Sequence, residues 1–244
     1  MKKNYEMDMC SGPILGKLLT FTIPLIFSGI LQLLFNAADV IVVGRFAGSQ
    51  SLAAVGSTTA LINLMINIFI GLSVGVNVIV ARYYGAKREK DVQDTIHTAM
   101  ALSIVSGLFL IVMGQLLSRP MLELMGTPDD VIDKSTIYMR IIFIGMPANM
   151  IYNFGSAILR AVGDTKRPLY FLTAAGVINV VLNLFFVIMF RMDVAGVALA
   201  TAISQAISAF LVILCLMESE GVTFNGVDGV DASVLTDPAE QALI

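Results

Sequence analysis

The sequence predicts an all-α, polytopic membrane protein with six membrane-spanning helices. The chain is 57% hydrophobic and 14% charged, with a mean hydropathy of +0.85, whereas soluble domains carry about a quarter charged residues. A spanning helix needs about 20 predominantly apolar residues. Six such stretches contain no Asp, Glu, Lys or Arg: 18–38, 46–81, 95–118, 141–159, 168–190 and 194–217. They do not alternate between polar and apolar residues as the strands of a membrane β-barrel do.

These stretches define one membrane unit followed by a tail. The unit is predicted over 1–217, with spans at about 18–43, 52–81, 95–118, 134–160, 168–190 and 194–217. The tail, 218–244, contains six acidic residues and no Lys or Arg. Removing these six charges from the net charge of −3 leaves the rest of the chain at +3. We expect an acidic, flexible tail on the cytoplasmic side of the membrane.

Prolines and caps give local expectations for two of the spans. The fourth helix is predicted to begin outside the bilayer, with Thr127 as its N-cap, Pro128 in its first turn and two acids at the positive end of the helix dipole. Pro147 within this span predicts a kink. Pro24 predicts a similar kink in the first span.

The distribution of basic residues predicts the orientation. With the N-terminus inside, ten Lys and Arg fall on the cytoplasmic side and five on the outer side, which favours cytoplasmic placement of both termini in the cell membrane. The N-terminal segment lacks a short apolar core followed by a cleavage site, so the first span is expected to stay as an anchor.

Four other features have ordinary structural interpretations. Cys10 and Cys215 have no metal-like or CxxC neighbours, which favours plain lipid- or core-facing thiols. The single histidine, His97, is interpreted as a satisfied interface residue. Gly71 and Gly75 form a GxxxG pair that predicts close helix packing.

Polar side chains within the spans form stripes at helical spacing. They are Ser28, Gln32, Asn36 and Asp39 in the first span, Asn63, Asn67 and Asn77 in the second, Asn149, Asn153 and Ser156 in the fourth, Asn179 and Asn183 in the fifth, and Thr201, Ser204, Gln205 and Ser208 in the sixth. Each set shares a helical face. Such faces are costly in lipid, so they should point into the bundle or a wet cavity.

Two interpretations of these stripes remain open. The Asn, Ser and Thr side chains can act as interhelical hydrogen bonds, worth about 0.6 kcal/mol each. Asp39 is different, because a mid-helix Asp costs about 2.5–3.5 kcal/mol on insertion scales, which favours a functional site. Alternatively, Asp39 lies near the outer interface, five residues before Gly44, and is simply hydrated.

Four segments resemble the multidrug and toxic compound extrusion (MATE) transporters. They are LQLLFNAADVIVVGRFAGSQSLAAVG (31–56), ARYYGAKR (81–88), ILRAVGDTKRPL (158–169) and VAGVALATAISQ (194–205). The resemblance covers about residues 12–217. It implies one six-helix lobe of a twelve-helix transporter that exports cationic drugs and metabolites in exchange for Na⁺ or H⁺.

The resemblance also implies site residues. It carries the family's first-helix acidic site onto Asp39, with polar partners at Asn179, Asn183 and Thr201. Where this chain has Asn183, one branch of the family has a second aspartate. The predicted cation-coupling set is Asp39, Asn36, Asn179, Asn183 and Thr201, with Na⁺ possible at Asp39, and the predicted substrate cavity is lined by Gln32, Asn63, Asn67, Asn149, Asn153 and Gln205.

The sequence supports several further expectations about function. The partners expected are a cationic small molecule, the lipid bilayer and either a second six-helix lobe or a second copy of this chain, with no nucleic acid. No cofactor beyond the coupling Na⁺ or H⁺ is expected, and the sequence carries no catalytic triad, metal cluster or phosphate loop typical of an enzyme. The alternatives are a membrane scaffold without transport activity and a lipid-linked sugar flippase. The flippase is disfavoured because the charge-free spans contain no basic residue.

Overall fold

The structure, a computed structural model, describes residues 14–218, and the long elements within that range are all α-helices. They are α1 (Ile14–Val42), α2 (Ser49–Gly85), α3 (Glu89–Leu124), α4 (Asp129–Ile144), α5 (Met146–Ala161), α6 (Lys166–Leu184) and α7 (Asp193–Glu218). A first π turn (Val43–Ala47) extends α1 and a second π turn (Phe185–Met189) extends α6. Cys10 and the predicted tail beyond Glu218 lie outside the described residues.

Six membrane spans account for these helices. Five continuous helical segments are long and apolar enough to cross a bilayer, and α4 and α5 form a sixth span that is bent by 48°. This confirms the all-α, six-span fold predicted from the charge-free stretches. Most of the helices run several residues beyond the predicted spans, since an α-helix continues past the hydrocarbon boundary wherever its backbone remains hydrogen-bonded.

The start of α4 differs by one residue from the predicted cap. Pro128, and not Thr127, occupies the N-cap position. Its carbonyl accepts the amides of Val131 and Ile132, each at 3.0 Å, so the helix begins after the proline. The two acids predicted for the first turn, Asp129 and Asp130, are there, where they favour the positive end of the helix dipole.

The kink in the fourth span occurs just before Pro147. Gly145 ends α4, and Pro147 falls in the first turn of α5, where its missing N–H leaves no hydrogen bond unmade. Gly145 also sits close to Ala202 of α7, and a Cβ on this glycine would lie 3.0 Å from the Ala202 Cβ. Pro24 lies inside α1, which continues through it without a break.

The bent α4–α5 span and α7 occupy the middle of the bundle. The bent span contacts α2, α3 and α7, while α6 lies on the other side of α7. Helix α1 is at the edge and packs mainly on α6. Most residues of α1 are not buried within the chain, whereas α7 is buried along much of its length, so α1 depends chiefly on one interhelical interface.

Glycines set the closest helix contacts, but not the pair singled out in the sequence. Gly71 and Gly75 of α2 are exposed, and an added Cβ would meet nothing within 4 Å at either position. The prediction that they mark close packing was therefore wrong within this chain. The tightest contacts occur at Gly107, Gly114, Gly155 and Gly176, where a Cβ would overlap Pro147, Phe143, Val212 and Phe35 respectively.

Three helices end in the same backbone motif, and one of them carries a lysine at its left-handed position. Beyond α2, Arg88 N donates to Tyr83 O and Lys87 N donates to Tyr84 O, each at 3.0 Å. This is the Schellman arrangement, in which glycine is usual because the residue has a positive φ. Gly126 and Gly163 fill the equivalent positions after α3 and α5, whereas Lys87 has φ 57°.

Replacing Lys87 with Gly is expected to stabilise the protein by about 1 kcal/mol, because an L-residue in the left-handed region costs about that much. The reciprocal change, Gly126→Ala, is expected to destabilise it by a similar amount, since no atom lies within 4 Å of the added Cβ and only backbone strain is introduced. Equilibrium unfolding in detergent measures both. Lys87→Ala is the control, because alanine keeps the Cβ that causes the strain. If Lys87→Ala raised the free energy of unfolding as much as Lys87→Gly, the strain argument would be contradicted.

Candidate functional site

A chain of polar side chains joins α1, α6 and α7. Asn183 donates from Nδ2 to the Asp39 carboxylate Oδ1 and to Asn179 Oδ1, the latter at 3.2 Å. Asn179 donates in turn to Thr201 Oγ1 at 3.2 Å. Thr201 completes the chain by donating to the carbonyl of Val197, one turn earlier in α7, at 3.0 Å. The structure therefore brings together four of the five residues predicted for the cation-coupling site.

The burial of this network is uneven. Asp39 is half-buried, whereas Asn183 is fully buried. The Oδ1 atom of Asn183 is itself buried and accepts no hydrogen bond. A buried amide oxygen without a donor is unfavourable, so the site holds an unused acceptor next to a carboxylate. Carboxylate, amide and hydroxyl oxygens are the ligands that hard cations prefer.

A fourth helix contributes an aromatic hydroxyl that sequence reasoning missed. Tyr138 of α4 is buried, and it lies close enough to Asp39 to interact electrostatically with its carboxylate. No polar stripe marks α4, so the sequence offered no periodic signal for this residue.

Asn36, the fifth residue of the predicted cation set, does not join the network. It is exposed and makes no hydrogen bond with the described residues. Gln32 on the same helix is also exposed, as are Asn63 and Asn67 on α2. These four side chains lie on surfaces that are otherwise strongly apolar, and polar groups in contact with lipid are costly.

The remaining predicted cavity residues are half-buried. Asn153 donates to the backbone and side-chain oxygens of Asn149 at 2.8 and 2.9 Å, so this pair is satisfied along α5. Gln205 is half-buried on α7. Asn77 faces a different way from the other asparagines of α2 and donates to the carbonyl of Ala157 in α5 at 2.7 Å.

The hydroxyls of the stripes mostly serve their own helices. Ser28, Ser204 and Ser208 each donate to a carbonyl three or four residues earlier. The Ser57–Ser135 contact between α2 and α4, at 3.1 Å, is an interhelical hydrogen bond. Interhelical hydrogen bonding therefore explains a few of the polar residues in the described chain. Asp39 differs from the three serines, because its hydrogen bond joins two helices.

Both partners of the Asp39–Asn183 bond lie next to irregular backbone. The first π turn begins four residues after Asp39, and the second begins two residues after Asn183. The two π turns contact each other and α7. Single π turns occur frequently at functional sites. At this end of the bundle Lys134 of α4 pairs with Asp193 of α7 at 2.7 Å.

Other polar and sulfur-containing residues are buried away from the Asp39 network. His97 is buried in α3 and Cys215 is buried in α7. Within residues 14–218 no group of three or more His, Cys, Asp or Glu side chains is arranged to hold a metal ion. Asp164 is fully buried between α5 and α6, where its Oδ1 accepts the amides of Lys166 and Arg167, each at 3.1 Å.

A helical membrane bundle with an interhelical carboxylate–amide network is an arrangement found in ion-coupled membrane proteins. A MatE family model matches residues 24–185 of the chain. This match covers more than half of the sequence, and the chain belongs to the MATE family. It is therefore a multi-pass membrane protein, and the resemblance found in the four sequence segments is confirmed.

Curated relatives agree with this assignment. The chain is 35% identical over 198 residues to the probable multidrug resistance protein YoeA of Bacillus subtilis (strain 168), covering 80% of this chain and 42% of that protein. It is 27% identical over 208 residues to an FAD transporter of Shewanella oneidensis, covering 83% of this chain and 46% of that protein. The chain spans about half the length of these relatives.

Solved structures show the same correspondence. The fold matches a crystal structure of MATE in the bent conformation with a TM-score of 0.83 and 25% identity, over 90% of this chain and 49% of that one. An outward-facing MATE family transporter of the MOP superfamily matches with a TM-score of 0.83 and the same coverage. The fold of the described chain therefore corresponds to half of a MATE structure.

Proposed function

We propose that this chain is one lobe of a cation-coupled antiporter that exports cationic drugs or metabolites across the cell membrane. Na⁺ or H⁺ is the coupling ion, and Asp39 is the group whose charge it neutralises. Both termini are assigned to the cytoplasm by the distribution of Lys and Arg. The multidrug proteins among the relatives support the substrate class, and the hydrogen-bonded chain from Asp39 to Thr201 carries the mechanism.

The geometry suggests how a cation acts on this network. Asn183 now donates to Asp39, so its amide nitrogen faces the carboxylate. A bound Na⁺ or a proton on Asp39 needs an oxygen there, which the amide supplies by turning its unused Oδ1 toward the carboxylate. That turn breaks the hydrogen bond from Asn183 to Asn179. The bond that breaks lies within α6, whereas the Asp39–Asn183 contact joins α6 to α1, so the state of Asp39 is linked to both.

The exposed polar residues support a water-filled cavity bordered by a second lobe. Gln32 and Asn36 on α1, and Asn63 and Asn67 on α2, are costly against lipid and acceptable against water. A second six-helix lobe, or a second copy of this chain, is the proposed partner across the cavity. Alternating access then consists of rocking between the two lobes, and the membrane potential contributes about 2.3 kcal/mol per charge for each 100 mV.

Reconstitution of the full chain in liposomes tests this function. An imposed Na⁺ or pH gradient is expected to drive accumulation of a cationic fluorescent dye, and collapse of the gradient with an ionophore is expected to stop it. A membrane scaffold would show neither transport nor any response to Na⁺ or pH. The chain could also respond to the cation but transport dye only after a second lobe is added. That result would support the coupling site in this chain and would show that the substrate cavity forms only between two lobes.

A further inference from the structure

A pocket lies at the end of the bundle where α1 and α6 give way to their π turns. It has a volume of about 360 Å³ and is lined by Phe46, Ala47, Val187, Ile188, Arg191 and Asp193. None of the residues predicted for the cation site or the substrate cavity lines it. Its volume falls within the range of known ligand pockets, so it can accept a small group.

The charge in this pocket is positive and rests on one side chain. Asp193 is already paired with Lys134 at 2.7 Å, which neutralises its carboxylate. Arg191 is exposed and makes no hydrogen bond or ion pair with the described residues. The guanidinium of Arg191 is therefore the uncompensated charge, and an anion is the complementary ligand.

The backbone fixes the position of this arginine. Arg191 has φ 51°, a left-handed conformation that is uncommon outside glycine. The turn is closed by Met192 N, which donates to the carbonyl of Phe186 at 3.1 Å. Arginine thus stands where glycine usually ends a helix. Outliers of this kind occur at ligand sites as well as in turns.

The walls of the pocket continue onto an apolar surface. Phe46, Ile188 and Phe190 are 50%, 46% and 61% exposed. The ring centroids of Phe185 and Phe190 lie 5.2 Å apart, which extends an aromatic surface along the second π turn. Apolar walls that lead from a single positive charge to the membrane-facing side match an amphiphile with an anionic head.

We propose that this pocket binds the phosphate headgroup of an anionic phospholipid, with Arg191 as the phosphate ligand and the apolar walls along its acyl chains. The planar guanidinium suits bidentate contact with phosphate oxygens, and basic pockets between membrane helices bind lipid headgroups in other proteins. The site is separate from Asp39 and does not rest on the transport function. It requires only that the bundle lies in a bilayer.

Native mass spectrometry of the full chain with added phosphatidylglycerol tests the site. Arg191→Gln is expected to lower the affinity for the bound lipid about tenfold, since one charge-assisted contact of this kind is lost, while Arg191→Lys retains most of it. Arg45→Gln is the matched control, because Arg45 is exposed in the first π turn, is unpaired within the described chain and does not line the pocket. Arg45→Gln is expected to leave binding unchanged.

Three outcomes would overturn the proposal. The first is an equal loss of lipid affinity in Arg45→Gln and Arg191→Gln, which indicates nonspecific electrostatic attraction of the lipid to the protein surface. The second is unchanged binding in Arg191→Gln, and the third is displacement of the lipid by millimolar inorganic phosphate, which indicates a free-anion site. Ala47→Phe adds an independent test: it fills the pocket without altering charge and should also reduce lipid binding.

Discussion

Replacing Asp39 with Asn is expected to abolish the response of the protein to its coupling cation. The substitution keeps the shape of the side chain and a hydrogen-bonding partner for Asn183 but removes the only carboxylate in the network. A ligand that binds the folded state alone stabilises it by about 2.7 kcal/mol at a concentration one hundred times its Kd. That Na⁺-dependent or pH-dependent stabilisation should disappear in Asp39→Asn, together with gradient-driven dye transport.

Thermal unfolding of the purified chain across Na⁺ concentrations and pH values measures this effect without requiring transport. Ser28→Ala is the matched control, because Ser28 lies on the same helix and donates only to the carbonyl of Pro24. It should retain the cation response. An Asp39→Asn protein that is stabilised by Na⁺ as strongly as the parent would exclude Asp39 as the coupling group.

The substitution Gly176→Ala is expected to disturb the same site from a distance, by separating α1 from α6. A Cβ on Gly176 would lie 1.9 Å from Cε2 and 2.1 Å from Cζ of Phe35, so the ring or the helix must move. Overpacking of this kind costs about 1–3 kcal/mol. Phe35 is one turn from Asp39 and Gly176 is two turns from Asn183. We therefore expect lower stability and a weaker cation response.

A second substitution separates crowding from other effects. Phe35→Ala removes the ring, so Gly176→Ala should be better tolerated in the Phe35→Ala background than in the parent, and a double-mutant cycle measures the difference. Gly71→Ala is the control, because its added Cβ meets no atom within 4 Å and improved helix propensity should make it neutral or stabilising. Equal losses for Gly71→Ala and Gly176→Ala would contradict the packing argument.

The sequence was sufficient for the number of membrane spans and for their helical type, because hydropathy over 20 residues depends on the solvent and little on neighbouring helices. Helical periodicity put Asn179 and Asn183 on one face of the fifth span, and the resemblance to the family paired them with Asp39. Periodicity failed for Asn36, which shares a stripe with Asp39 but lies outside the interface. Spacing specifies the side of a helix, whereas the edge of a contact depends on how a neighbouring helix docks.

The glycines show the same limit. A four-residue spacing drew attention to Gly71 and Gly75, which are exposed, while the most crowded positions are Gly107, Gly114, Gly155 and Gly176. Small residues permit close approach but do not identify the partner that approaches. Tyr138 lies near Asp39 on a helix without a polar stripe, and only the three-dimensional arrangement reveals this proximity.

The edge position of α1 has a consequence for the size of the rearrangement that one ion can drive. A helix held mainly by one neighbour can shift while the other helices retain their mutual contacts. The free energy needed to move α1 is then confined to its interface with α6. The few kilocalories per mole released by binding one ion are comparable with the energy of repacking one such interface. A helix enclosed by the bundle would need several such events at once.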